Sequence, residues 1–172
     1  EHDENAGAIL VTDSAVLAER VRAEIEKQIE ALPRRAIART AIDNNGRIII
    51  AASLKQAVEI SNRFAPEHLE ICVDNPFDYL DSVTSAGSVF LGRYSPEALG
   101  DYYAGPNHTL PTAGTARFSS PLSVDDFIKK TSFTYYSREA LLNVRCDIAC
   151  FASKEGLDAH ARSVTIRFES DE

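Results

Sequence analysis

The chain has 172 residues, 44% of them hydrophobic, enough for one domain with a real core and a small appendage. Lys plus Arg number 18 and Asp plus Glu 26, a formal charge of −8, which excludes the basic stripe that a nucleic-acid surface needs. No apolar run approaches the roughly 18 residues of a membrane span and no signal peptide is legible, while Cys72, Cys146 and Cys150 lack a framework spacing; these features predict reduced thiols and a cytoplasmic location.

In chain order, Ala8 to Thr12 reads as a short strand. Ser14 then opens a helix whose apolar stripe, Leu17, Val21, Ile25, Ile29 and Leu32, keeps helical spacing until Pro33. Arg34 to Ile42 predicts a shorter helix closed by Asn44-Asn45-Gly46. Arg47 to Ala51 (RIIIA) has the unbroken apolar character of a strand buried on both faces. Leu54 to Phe64 is amphipathic and helical, stopped by Pro66, and Leu69 to Val73 and Ser88 to Leu91 are further strands flanking a helical turn near Phe77 to Val83. Strands alternating with helices predict an α/β fold, a parallel-sheet, three-layer, incomplete Rossmann-like domain over residues 1–121. Four strands make a thin sheet. With no Met in the chain and an opening Glu-His-Asp-Glu, that thinness predicts a piece of a larger polypeptide.

Beyond Pro121 the pattern changes. Val124 to Lys130 reads as helical, Ser132 to Tyr136 as an isolated strand, and Arg138 to Ala152 and Glu155 to Phe168 as helices. Residues 122–172 are therefore expected to form a mainly helical tail with too little core to stand alone.

The dinucleotide fingerprint GxGxxG, the P-loop, HExxH and CxxC are all missing. Four histidines remain, His2, His68, His108 and His160. Glu67-His68 lies on a connection before a strand. Asp101 and His108 sit in GDYYAGPNHTLPT (residues 100–112), too poor in apolar residues for a helix or strand and stiffened by Pro106 and Pro111. That stretch leaves the C-terminal end of the Ser88–Leu91 strand, the edge where open α/β sheets bind ligands. By themselves these residues support a hydrolytic or redox site using carboxylate and imidazole, with or without a metal. A solvated Glu-His pair on a loop is the plainer alternative.

Six segments in order narrow this: EHD at 1–3, APEHLE at 65–70, SAGSVFLG at 85–92, SPEALGDYYAGPNHTLPT at 95–112, ARFSSPLSVDDFIKK at 116–130 and EGLDAHARSV at 155–164. Over essentially its whole length the chain resembles the C-terminal portion of the histidinol dehydrogenases. The resemblance implies NAD-dependent oxidation of L-histidinol through the aldehyde to L-histidine, in a homodimer with one zinc per site. It implies zinc ligands at His2, Asp101 and His160, with a further Gln ligand upstream of Glu1 and His160 delivered to the partner subunit by tail exchange. Glu67 and His68 match the acid–base pair. Substrate contacts are implied at His2, His68, Asp101, His108, Glu155 and His160. NAD would be held mainly outside this chain, so no residue here is assigned to it, and the chain alone is expected to be inactive. Two alternatives stand beside this reading: a non-catalytic relative that binds a metal or an imidazole ligand, and an acidic interaction module, which explains the charge but none of the histidines.

Overall fold

The computed structural model describes residues 1–171. They divide into two compact units, Glu1–Ile128 and the residues from Lys129 onward. The division falls later than residue 121 because Leu122 still donates its N–H to the Thr109 carbonyl (3.0 Å), which keeps that stretch in the first unit.

The first unit opens with β1 (Ile9–Thr12), α1 (Ala15–Ile29), α2 (Arg35–Asn45) and β2 (Arg47–Ile50). Ser14 caps α1 by accepting the Leu17 N–H at 3.2 Å, as its place before the apolar stripe predicts. The helix stops at Ile29, short of Pro33, and a tight turn leads into α2. Arg39 grips both carboxylate oxygens of Glu26 at 3.0 and 2.9 Å, tying α2 to α1 and holding the Glu26 carboxyl below its usual range. β1 and β2 pair in parallel, Ile9 opposite Arg47 through Thr12 opposite Ile50.

Next come α3 (Leu54–Phe64), β3 (His68–Ile71), α4 (Phe77–Leu80), β4 (Ser88–Leu91) and α5 (Glu97–Tyr102). Ser53 caps α3 through the Gln56 N–H. The helix ends on Ala65, buried and left-handed (φ 51°), a conformation that costs a non-glycine residue about 1 kcal/mol. Pro66 follows and bars any further turn of helix. β3 and β4 also pair in parallel, His68 opposite Ser88 through Ile71 opposite Leu91.

The α/β class and the parallel pairing agree with the sequence pattern, but a single four-stranded sheet does not form. Among the described residues the strands make two separate pairs, β1–β2 and β3–β4. β2 lacks the double cover expected of RIII: Ile48 and Ile50, which share one face of the strand, are 37% and 58% exposed. The buried apolar set is rich in alanine (Ala18, Ala38, Ala41, Ala51, Ala65, Ala116), with Ile29, Ile71 and Phe90 as its larger members.

Three further expectations change. Val124–Phe127 is a short 3-10 helix, its start fixed by a Ser123–Asp126 capping box, where a longer helix was read. Ser132 to Tyr136 forms neither strand nor helix, and Phe133 and Tyr135 are exposed. Glu155 to Phe168 is not one helix. In the second unit α6 (Arg138–Lys154) ends at Glu155, Gly156 turns the chain at φ +74°, and α7 (Asp158–Thr165) starts afresh before a 3-10 helix, Ile166–Asp171. Phe168 is buried in that unit, with the Arg138 and Arg145 guanidinium carbons each 5.5 Å from its ring centroid.

Gly87 locks the start of the second strand pair. Its N–H donates to the Pro66 carbonyl (2.9 Å), while Ser88 donates to the Glu67 carbonyl (2.8 Å). A Cβ at Gly87 would stand 2.6 Å from the Glu67 carbonyl oxygen and 3.2 Å from Pro111 Cδ, and backbone cannot yield as a side-chain tip does. Gly87→Ala is expected to destabilise the protein by about 1–3 kcal/mol, the usual cost of overpacking, as a lower midpoint in denaturant unfolding. An unchanged midpoint would show that this close approach is not a constraint.

Candidate functional site

The site grows from the start of β3. Glu67 stands at a bend just before the strand and His68 is its first residue, so Pro66 and the left-handed Ala65 fix where both begin. The chain then passes along β4 and turns at Gly92 (φ +83°), whose carbonyl accepts the Ser95 N–H at 3.3 Å. α5 follows, and it runs back over the strand pair. At its first turn the Glu97 N–H donates to Glu70 Oε1 (2.8 Å), and one turn later Asp101 faces His68. Glu70 and His68 share one side of β3 through the two-residue period of a strand, so a helix laid along that side meets both.

Gly100 permits this approach. A Cβ there would stand 2.7 Å from Phe90 Cε1 and Cζ, so only a bare α-carbon lets α5 rest on the buried ring. The same ring lies 6.0 Å from the His68 imidazole, tilted by 40°.

Three side chains converge as a result. His68 Nε2 lies 3.6 Å from Glu97 Oε1 and 3.8 Å from Asp101 Oδ1. One ligand atom from each of the three falls within 4.8 Å of the others, the one grouping of this kind among the described residues. His68 Nε2 is shut off from solvent and has no hydrogen-bond partner. Burial pushes the Glu97 carboxyl up, helped by a hydrogen bond with the Asp101 carboxyl and by that group's charge, against the lowering pull of His68. Beside the trio a cavity of about 290 Å³ is lined by Phe90, Leu99, Gly100, Asp101, Pro106 and His108 among others.

The residues picked from sequence thus fall into three places. His68 and Asp101 come together, and Asp101 and His108 share one cavity wall, with Glu67 next to His68 in the chain. Asp101 belongs to the last turn of α5, not to an irregular loop as its polar surroundings suggest. Nor does it lie beyond the C-terminal edge of the strands: the Gly92 turn returns it to the first residue of β3. His2 is exposed near the start of the first unit, where its carbonyl accepts from Arg34 Nη2 (3.4 Å), and it is outside the trio. Glu155 and His160 lie in the second unit, both exposed, one ending α6 and the other inside α7, so the Gly156 turn divides them where a shared helix was expected. Cys146 and Cys150 are exposed free thiols on α6.

Glu97 is the member that sequence reasoning missed. Its signal was present: in SPEALGD the two acids stand four apart behind a proline, which puts both carboxylates on one face of a helix.

A nitrogen and two carboxylates around a closed-off Nε2 can orient an imidazole, pass a proton or hold a divalent cation. Comparison with known proteins shows the family. The family model for histidinol dehydrogenase matches residues 1–168. A Bacillus cereus histidinol dehydrogenase is 58% identical over 171 residues, covering 99% of this chain and 40% of that protein. The Clostridium acetobutylicum enzyme is 57% identical over 169 residues, covering 98% of this chain and 39% of that protein. The crystal structure of histidinol dehydrogenase from Elizabethkingia anophelis superposes with a TM-score of 0.84 at 40% identity, over 98% of this chain and 39% of that one. The chain spans about two fifths of the length of the relatives it matches. It belongs to the histidinol dehydrogenase family.

Proposed function

We propose that this chain supplies part of the active site of a histidinol dehydrogenase, an enzyme that oxidises L-histidinol to L-histidine in two steps. The observation that carries the reading is the meeting of His68, from APEHLE, with Asp101, from SPEALGD, at 3.8 Å beside a cavity that also takes in His108. Two motifs distant in sequence converge on one imidazole and one carboxylate.

The first oxidation removes a hydride from the carbinol carbon and a proton from its hydroxyl, leaving the aldehyde. The second adds water to the aldehyde, then removes a second hydride and two protons to leave the carboxylate. When bound, NAD accepts the hydride of each step, and zinc would fix the substrate through its imidazole and amine, an orienting role. Asp101 fits such a metal: its half-buried carboxylate lies beside an imidazole nitrogen without a partner, an N/O donor set that zinc takes. In this reading His2, a Gln upstream of Glu1 and the partner subunit's His160 complete the ligands, and Glu155 reaches the substrate by the same exchange.

The rest falls to the chain's own groups. His68 accepts the hydroxyl proton, the general-base task for which imidazole is the commonest side chain. Glu67, beside it at the bend before β3, draws a proton from the water that attacks the aldehyde. His108 lines the pocket together with Asp101 and keeps bulk water from the reacting carbon. Biosynthesis of histidine in the cytoplasm and a homodimer with exchanged tails complete the proposal.

Two measurements test it on the enzyme at full length. Glu67→Gln is expected to keep histidinol oxidation to bound aldehyde while oxidation of supplied aldehyde falls by roughly 10²-fold or more, and His68→Asn to slow both steps. Equal losses at both steps for Glu67→Gln would assign the carboxylate to orientation and end the division of labour. For the exchanged tail, mixing an Asp101→Ala chain with a His160→Ala chain should restore one intact site in two per mixed dimer. Mixtures that remain inactive would rule out sharing.

A further inference from the structure

Resting on the functional reading above, we infer that Glu70 is a positioning residue: from β3 it caps the first turn of α5 and so sets where Asp101, one turn further on, presents its carboxylate to the metal. The Glu97 N–H opens α5, and first-turn N–H groups have no helix carbonyl behind them to bond. Pro96, at the cap position, makes no side-chain hydrogen bond, because proline has no side-chain acceptor to offer. Glu70 Oε1 accepts that N–H at 2.8 Å, from 27 residues away in the chain.

The bond has its effect because it crosses between elements. A cap made by the residue next to a helix fixes the helix start relative to its own chain, whereas one made from a strand fixes the helix relative to the sheet. Glu70 stands opposite Phe90 in the β3–β4 ladder and His68 opposite Ser88, so these side chains share one side of the strand pair. Helix α5 meets that side at three points: Glu97 at Glu70, Gly100 at Phe90 and Asp101 at His68. The Phe90 ring sets how close the helix lies, but a flat apolar contact lets a helix slide. A directional hydrogen bond at the first turn stops that sliding. A six-residue helix has little stability with which to hold its own place, and a metal ligand works only when held to within about 0.5 Å.

The experiment uses the full-length enzyme. Glu70→Ala should weaken zinc binding by about fivefold or more in competition with a chelator, the equilibrium counterpart of a lost helix cap. Hydrogen exchange in the peptide from Ser95 to Tyr103 should quicken in the same variant. Glu70→Gln keeps an acceptor oxygen at the same reach and should recover most of both losses. Combined with Asp101→Ala, Glu70→Ala should weaken zinc no further, because a residue acting through another has no effect once that one is gone. A general loss of stability would instead weaken zinc whether or not Asp101 is present. Unchanged zinc affinity in Glu70→Ala, a loss that Glu70→Gln does not recover, or losses that multiply in the double variant would each overturn the inference. If Asp101→Ala alone leaves zinc affinity untouched, the functional reading falls instead. The exchange of Ser95 to Tyr103 then decides the role of Glu70: quickened in Glu70→Ala and restored in Glu70→Gln, it upholds the placing of α5, and unchanged, it ends it.

Discussion

The close approach of the Gly100 backbone to the Phe90 ring is the constraint from which the candidate site follows. A buried Phe contributes about 1.5–3 kcal/mol by its burial alone, and here its ring also serves as the floor on which α5 rests. Because α5 lies that close, Glu97 meets Glu70 and His68, Asp101 meets His68, and the residues from Ala104 to Leu110 close a cavity over β4. Raise the helix by one methyl group and each of these distances opens together. A short helix of six residues has little stability of its own, so its position is set by this packing and by the Glu70 carboxylate at its first turn.

The strand pair beneath is pinned in the same economical way. Gly87 and Ser88 donate backbone hydrogen bonds to the Pro66 and Glu67 carbonyls just ahead of the ladder, and the Asn62 side chain joins α3 to the turn at Ser82 and Thr84. The bend that carries Glu67 is thus fixed from both sides before the strand begins. A residue on such a bend is held by backbone bonds, which do not compete with its own side chain for partners.

Much apolar surface finds no cover within the chain. Ile50 in β2 is 58% exposed and Phe133 is 94% exposed, and no large side chain is fully buried among the described residues. The relatives are more than twice as long as the stretch matched here, and an RIII strand is a pattern built for cover on both faces.

Local rules made several elements legible from sequence alone. Ser14 caps its helix as its position ahead of an apolar stripe requires, and α3 ends just before Pro66 for reasons of backbone geometry. The six ordered segments identified the family, and the pairing of Glu67 with His68 needed only adjacency. Other features depended on groups distant in the chain. Sequence did not show that four strands would split into two pairs, that Glu155 and His160 would stand on separate helices, or that Asp101 would return over the first residue of β3. Nor did it single out Glu97, an ordinary acid on a short helix until the turn at Gly92 and the fit of Gly100 against Phe90 bring it to His68. The sequence determined which residues have the chemistry and where helices begin and end, because capping, periodicity and proline act over a few residues. The tertiary structure alone decided which of those groups meet, because a meeting depends on how closely two backbones approach, and that is a property of the packed pair.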